Sequence, residues 1–219
     1  MALALFDLDE TLIDGDSASL WLAFLVECGI ATPALQETEA RLMERYHRGD
    51  LDMREYMRCT LAPLLGHSAE WLAQQCQHYC ESWLRPRLYA EGLAKIEWHR
   101  QRGDTLVLIS ATGEHLVAPM ARMLGMDHCL AIQLERHHDG ALTGNTVGTL
   151  TFREGKVARI REIFGEASAG SFGYSDSMND LPMLEWVDHP HATNPSTSLR
   201  EVASARHWPI YDWTPVAPR

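Results

Sequence analysis

Residues 2–8, ALALFDL, are apolar until two carboxylates, Asp7 and Asp9, arrive with Leu8 between them. A short, nearly continuous apolar run predicts a strand covered on both faces. From Ser17 to about Arg85 the apolar positions recur at helical spacing instead. Four helices are predicted there. The first is SASLWLAFLVECG, with Asp16 or Ser17 as cap and Gly29 as stop. TPALQETEARLMERYHRG follows, opened by Thr32 and a first-turn Pro33. DMREYMRCTLAPLLG is opened by Asp52 and disturbed near Pro63, and SAEWLAQQCQHYCESWLRP is capped by Ser68 and ended by Pro86. Most of the aromatic residues of this stretch (Trp21, Phe24, Tyr46, Tyr56, Trp71, Tyr79, Trp83) are expected to fill a small bundle core, with one or two facing a substrate.

Beyond residue 85 strand and helix patterns alternate. A helix at about 89–101 leads through Gly103 into the β-branched run TLVLIS, and GEHLVAPMARMLG is helical despite Pro119. HCLAIQLERHHDGALTGNTVG reads as a strand followed by a hairpin or a loop excursion. EGKVARIREIFG (helix), SAGSFGYS (strand), MNDLPMLEWV (short helix), PHATN (strand), SLREVASARH (helix) and WPIYDW (short strand) complete the series, and the ending TPVAPR is expected to be loose. The alternation predicts an α/β fold, a Rossmann-like three-layer sandwich around a mainly parallel sheet, with an inserted helical-bundle cap. The expected boundaries are 1–15 and 86–219 for the α/β core and 16–85 for the cap.

At 219 residues the chain is long enough to bury a full core, and its 46% apolar and 22% charged residues are ordinary for a globular protein. A formal charge of −11 with no basic tail or stripe argues against nucleic acid as partner. It leaves room for a small anionic substrate, because a metal ion or a few cations reverse the sign of one pocket. Five cysteines (Cys28, Cys59, Cys76, Cys80, Cys129) form no CxxC pair. Cys76 and Cys80 share a helix face, where buried thiols are the preferred reading over two metal ligands. The pattern suits a reducing compartment. MALALF is too short for a signal-peptide core and no apolar stretch reaches membrane-spanning length, so a cytoplasmic protein without a membrane partner is expected.

Ligands of open parallel sheets collect beyond the carboxyl ends of the strands. Three predicted strands end in reactive polar residues: Asp7 and Asp9 after the first, Ser110 and Thr112 after the second, Asp176 after SFGYS, with Asn179 and Asp180 opening the next helix. Each Asp alone is equally a helix cap or turn former. Four together would repel one another unless a cation joins them, and a hard ion such as Mg²⁺ accepts a few carboxylates while retaining water. A carboxylate beside Mg²⁺ can attack phosphorus, and a second one two positions on can serve as general acid and base. The transferring phosphoryl group needs donors and positive charge. Ser110, Thr112 and Asn179 supply the first, and Lys156, at a helix start after Gly155, the second. No GxxxxGK[ST], GxGxxG after the first strand, zinc-hydrolase histidine arrangement or GxSxG elbow is present.

FDLDETL resembles the DxDxT first motif of the haloacid-dehalogenase-like hydrolases. LISAT with Ser110 is similar to the second motif, GK with Lys156 to the third, and GYSDSMNDLPML to the fourth, a variant of GDxxND. The helical insertion resembles the small cap of the phosphoserine-phosphatase-like subgroup. The resemblance implies Asp7 as nucleophile and Asp9 as acid/base. It implies Mg²⁺ held by the side chains of Asp7 and Asp176 and the backbone carbonyl of Asp9, with Asp180 in support. It places Ser110 and Lys156, with Asn179 near by, on the phosphoryl group. In phosphoserine phosphatases an acidic residue after the first motif meets the substrate ammonium and a cap arginine meets its carboxylate. The matching positions are Asp16, shorter than the family's Glu, and Arg58 in LDMREYMRCTL, with Arg54 one turn earlier as a substitute. The shorter acid suits a bulkier amine. ATNPSTSLREVASARHWPI also resembles a less characterised phosphatase branch, related to the phosphoserine enzymes but distinct from them. The expected activity is Mg²⁺-dependent phosphomonoester hydrolysis through an aspartyl-phosphate, on a small soluble amine-bearing phosphate such as phosphoserine or histidinol phosphate. Phosphotransfer from the same intermediate and a non-catalytic phosphate-metabolite sensor are the alternatives.

Overall fold

The apolar run Leu3–Phe6 forms strand β1 at the centre of a seven-stranded sheet. The structure is a computed structural model that describes residues 2–48, 50–166 and 169–215. Strands β2 (Thr105–Gly113) and β5 (Phe172–Ser175) flank β1, both parallel to it. Outside β2 lie β3 (His128–Arg136) and β4 (Leu142–Val147); outside β5 lie β6 (His189–Thr193) and the two-residue β7 (Ile210–Tyr211). All pairings are parallel except β3 with β4, which resolves the segment after His128 as a hairpin. Ala4, Leu5 and Phe6 are fully buried, and alternate side chains enter different apolar clusters. Ala4 and Phe6 face the cluster of α5 (Ala90–Arg102) and α6 (Glu114–Leu124), whereas Leu5 faces Ile160 and Met183 of α7 (Glu154–Phe164) and α8 (Leu181–Trp186). This two-sided cover explains the unbroken apolar run. Helix α9 (Thr197–Ala205) closes the β6 end through Leu199 and Ala203.

Between β1 and α5 the chain forms α1 (Ser17–Glu27), α2 (Pro33–Arg48), α3 (Met53–Leu61) and α4 (Ala69–Tyr79). Asp16, Asp52 and Ser68 accept from first-turn N–H groups, as the capping pattern predicts. Pro63 shortens α3: regular helix stops at Leu61 and a 3₁₀ turn, Ala62–Leu64, takes over. The fourth helix departs from its expected span. It widens into a π turn over Cys80–Leu84 and tightens into a 3₁₀ turn over Arg85–Arg87 around Pro86. Trp21, Phe24 and Tyr79 pack ring to ring inside these helices, and Cys76 and Cys80 are buried thiols there. The same apolar cluster continues into Phe6, Leu116 and Met120, so the helices rest on the sheet's α5/α6 side. The two chain crossings lie side by side: the Asp14 N–H donates to the Arg87 carbonyl and the Tyr89 N–H to the Leu12 carbonyl. Among the described residues no helix is long and apolar enough to cross a membrane. Of the TPVAPR ending, residues 216–219 lie outside the described residues.

On β6, His191 is stacked between Tyr174 and Tyr211, with ring centroids 4.6 and 5.6 Å away, and its buried Nδ1 has no hydrogen-bond partner. Burial lowers its pKa to about 4. The unfolded imidazole titrates near 6.5, so the unfolded chain takes up a proton first as pH falls. The stability held by neutral His191 is therefore complete above pH ~6.5 and lost towards pH ~4. Relative to His191→Phe, wild type should lose on the order of 3 kcal/mol across that window. Urea melts of both proteins between pH 7 and 4 measure it, and parallel pH profiles would contradict it.

Candidate active site

Because β1, β2 and β5 are adjacent and parallel, their carboxyl ends share one rim. Asp7 follows β1 directly, and its N–H continues the ladder by donating to the Tyr174 carbonyl at 3.0 Å. The chain then turns tightly, with the Leu12 and Ile13 N–H groups both returning to the Leu8 carbonyl and Glu10 at φ 54°. This turn aims Asp9 at the start of α1. The Ser17 N–H donates to Asp9 Oδ1 at 2.6 Å, and the Ser110 and Thr112 hydroxyls donate to Oδ2 at 3.2 and 3.1 Å. Both hydroxyls come from β2, which runs three residues past Ser110 and whose register with β3 shifts between Ile109 and Gly113. The Thr112 N–H donates to Ser110 Oγ, locking the pair.

Lys156, 2% exposed, sits in the first turn of α7 and donates to Asp7 Oδ1 at 2.7 Å, to Asp180 Oδ2 at 2.6 Å and to the Ile109 carbonyl at 3.4 Å. The glycine before it has a steric cause. A Cβ on Gly155 would fall 1.9 Å from the Leu150 carbonyl oxygen, inside the backbone itself. Asp180 also accepts from the Ser175 hydroxyl at 2.7 Å. Asp176 presents its N–H to Thr11 Oγ1 at 3.1 Å, and the Thr11 hydroxyl points back at Asp176 Oδ1 at 3.4 Å. Asn179 Oδ1 accepts from Arg153 Nε at 3.1 Å, which leaves the amide NH₂ as its donor end.

Burial and the carboxylates' mutual repulsion together outweigh what Lys156 offsets. Burial raises Asp7 to about 7, against the pull of Lys156 and with the help of Asp180 and Asp9. Burial and the charge of Asp16 raise Asp9 to about 6, and burial with Asp7 and Asp180 lifts Asp176 well above the usual carboxylate range. Burial works against the Lys156 ammonium, but Asp180 and Asp7 outweigh it and keep it charged. Such a crowd is what a divalent cation relieves. Among the described residues no three acidic, histidine or cysteine side chains form a ready ligand cluster. The donors gathered on this rim are oxygens, the kind a hard cation takes. Asp180 accepts from Lys156 and Ser175 on Oδ2 and so steadies the lysine.

These residues floor a cavity of about 1000 Å³ whose opposite wall is the helical insertion. Asp7, Asp9, Thr112, Lys156, Asp176, Asn179 and Asp180 all line it, and Ser110 lies just beneath. The cap predictions divide. Asp16 lines the cavity while its Oδ1 caps α1 through the Ala18 and Ser19 N–H groups. Arg58 is a correction: it is exposed on α3, whose cavity-lining residues are Met53 and Tyr56. Arg54 is another, since it reaches outward to Thr146 Oγ1 at 2.6 Å and pins α3 to β4. Neither forms the expected carboxylate clamp. Sequence reasoning passed over Thr11, Ser17, Ser175, Glu39 and Arg153. Thr11 is the T of the DxDxT resemblance and Ser17 a cap candidate for α1, and neither reading by itself points to the site.

A family profile described as haloacid dehalogenase-like hydrolase matches residues 4–185. A histidinol-phosphatase of Neisseria meningitidis serogroup C is 34% identical over 96% of this chain and 98% of its own length. The phosphoserine phosphatase SerB1 of Mycobacterium tuberculosis is 29% identical over 97% of this chain and 71% of its own. Among solved structures, a Bordetella pertussis Tohama I protein of unknown function superposes with a TM-score of 0.89 at 40% identity, covering 96% of this chain and 98% of that one. A substrate-bound phosphoserine phosphatase does so at 0.69 and 19% identity, over 96% and 92%.

Proposed function

This chain belongs to the haloacid dehalogenase-like hydrolases, and we propose that within them it is a Mg²⁺-dependent phosphomonoesterase acting through an aspartyl-phosphate on a small amine-bearing phosphate. The observation that carries the reading is the placement of Asp7, Asp9 and Lys156 together at the floor of one cavity. Asp7 supplies the attacking oxygen for phosphorus. Asp9, held by three donors and raised to about 6, is poised to give a proton to the leaving alkoxide and to take one from the hydrolytic water. Lys156 offers charge and the Asn179 amide a donor to the phosphoryl oxygens, and the Ser110 and Thr112 hydroxyls, which donate to Asp9 here, would turn to the phosphoryl group on its arrival. Asp7, Asp176 and the Asp9 carbonyl would hold the Mg²⁺, which when bound neutralises charge on phosphate and nucleophile. We assign residues 16–85 to a cap over the core formed by 1–15 and 86–219. The relatives named as histidinol-phosphatase and phosphoserine phosphatase support a phosphorylated amine as substrate. Five free cysteines support a reducing, cytoplasmic setting.

Phosphate release measured with Mg²⁺ over phosphoserine, histidinol phosphate, phosphoethanolamine, glycerol phosphates and sugar phosphates tests the reading. Amine-bearing esters should be turned over fastest, and a flat blank across the panel would refute it. Asp9→Asn should lower kcat for alkyl esters by about 10²–10⁴-fold. It should cost much less with p-nitrophenyl phosphate, whose leaving group needs no proton. Equal losses on both would remove Asp9's role as acid.

A further inference from the structure

The cap side of the cavity holds a carboxylate that forms no ion pair among the described residues. Glu39, on α2, is 6% exposed and lines the cavity. Both its hydrogen bonds go to Oε1, from the Ser19 hydroxyl at 2.6 Å and the Tyr56 hydroxyl at 3.3 Å. Among the described residues Oε2 accepts no hydrogen bond. Asp16 repeats the arrangement, with both cap bonds on Oδ1 and Oδ2 left over. The two carboxylates repel: Glu39 is among the charges that push the Asp16 pKa up. A buried carboxylate held only by neutral donors is costly unless a cation completes it. Of the arginines on α2 and α3, Arg41 donates to Thr38, Arg45 pairs with Glu55 at 3.0 Å, Arg48 reaches the cavity's edge but is exposed beside Asp50, and Arg54 and Arg58 lie off the cavity. Of the cavity's other cations, Lys156 is paired with Asp7 and Asp180 and Arg153 donates to Asn179, so among the described residues none forms an ion pair with Glu39 or Asp16, and a cation on the substrate can complete them. Around it stand Met43, Tyr46, Met53 and Tyr56, which offer aromatic faces and thioethers to an organic cation.

We propose that Glu39, together with Asp16, binds the ammonium of the substrate's organic part through its free oxygen, and that this wall selects phosphorylated amino alcohols lacking a carboxylate over phosphorylated amino acids. The inference rests on the phosphatase reading and names the substrate class that the same site takes. A substrate carboxylate would enter a cavity lined by nine acidic side chains and three basic ones, of which Lys156 is held by Asp7 and Asp180 and Arg153 donates to Asn179, while neither Arg54 nor Arg58 lines it.

The test pairs histidinol phosphate, phosphoserine and p-nitrophenyl phosphate with wild type, Glu39→Gln and Glu39→Asp. Wild type should prefer histidinol phosphate to phosphoserine by kcat/KM. Glu39→Gln keeps an oxygen for Ser19 and Tyr56 but loses the charge. It should cut kcat/KM for histidinol phosphate by about 10- to 100-fold, mostly in KM, the range of a charge-assisted hydrogen bond. It should leave p-nitrophenyl phosphate within about twofold, with Glu39→Asp falling between. Equal losses on the two esters would show a role confined to tying α1, α2 and α3 together, and no loss on histidinol phosphate would show no contact; either overturns the proposal. A wild-type preference for phosphoserine overturns it too. Calorimetric binding of histidinol itself, which has no phosphate, separates this failure from that of the phosphatase reading. Weaker binding to Glu39→Gln supports the cation site even without turnover, and equal binding refutes it.

Discussion

Asp7→Asn is expected to lower kcat by at least about 10⁴-fold while leaving the protein folded. The amide is isosteric with the carboxylate and lacks its nucleophilic charge, so the loss falls on the chemical step. Its effect on folding follows from the charges around it. Asp7 is buried against Asp9, Asp176 and Asp180, and burial with that repulsion already lifts its pKa to about 7. Removing the charge relieves Asp176. It takes one of two carboxylates from Lys156, which keeps Asp180 at 2.6 Å and the Ile109 carbonyl at 3.4 Å. The two changes oppose each other, and stability should stay within about 1 kcal/mol of wild type. Phosphate release with Mg²⁺ and urea melts of both proteins measure the two halves. Retention of more than a few per cent of kcat would transfer the nucleophile's role elsewhere.

The parts of this site that could be read from the chain are those set by sequence-local physics. An apolar run ending in Asp7 and Asp9 identifies a central strand and its rim, because only a strand covered on both faces tolerates LALF without relief. Gly155 beside Lys156 is legible for a similar reason, although its steric cause, the Leu150 carbonyl, appears only in three dimensions. The insertion's helices announce themselves through Asp16, Asp52 and Ser68. The cap residues that face the cavity do not. Arg54 and Arg58 lie four apart on an amphipathic helix, and spacing shows that they share a face without showing where that face points. Packing decides it: Met53, Tyr56 and Met57 turn inward, so both arginines turn out. Glu39 escaped notice because TPALQETEARL contains two glutamates, Glu37 and Glu39, in an ordinary polar pattern. Only the meeting of α1, α2 and α3 buries the second of them against Ser19 and Tyr56. The π turn at Cys80–Leu84 was equally hidden: Pro86 announces that the helix ends but not that its last turn widens, with Cys80 Sγ on the Leu116 carbonyl.

Lys156→Met should be the most destabilising of the single changes at the site, costing about 3–5 kcal/mol in metal-free protein near pH 8. Methionine fills much of the same volume, so the cost is electrostatic. It strands Asp7 and Asp180, both nearly inaccessible, with Ser175 as the remaining neutral donor to Asp180. The pH dependence identifies the cause. Loss of the ammonium removes the one charge that holds the Asp7 pKa down, so the folded variant binds protons more tightly than the unfolded chain from about pH 4 up to a folded pKa above 7. Wild-type Asp7 already sits at about 7, so both proteins gain stability alike below that pH. Above it only the variant does as pH falls, and the deficit against wild type should shrink between pH 8 and 5 with the change concentrated above pH ~7. Adding Asp7→Asn to Lys156→Met should restore part of the loss at pH 8 and little at pH 5, because one of the stranded charges is then absent at every pH. Urea melts in EDTA of the single and double variants at both pH values make the comparison. A deficit that is the same at pH 8 and 5, or untouched by Asp7→Asn, would mean that Lys156 supports the fold through its packing against β2 and α7, and its bridge between Asp7 and Asp180 would cease to explain how the acidic rim is held together.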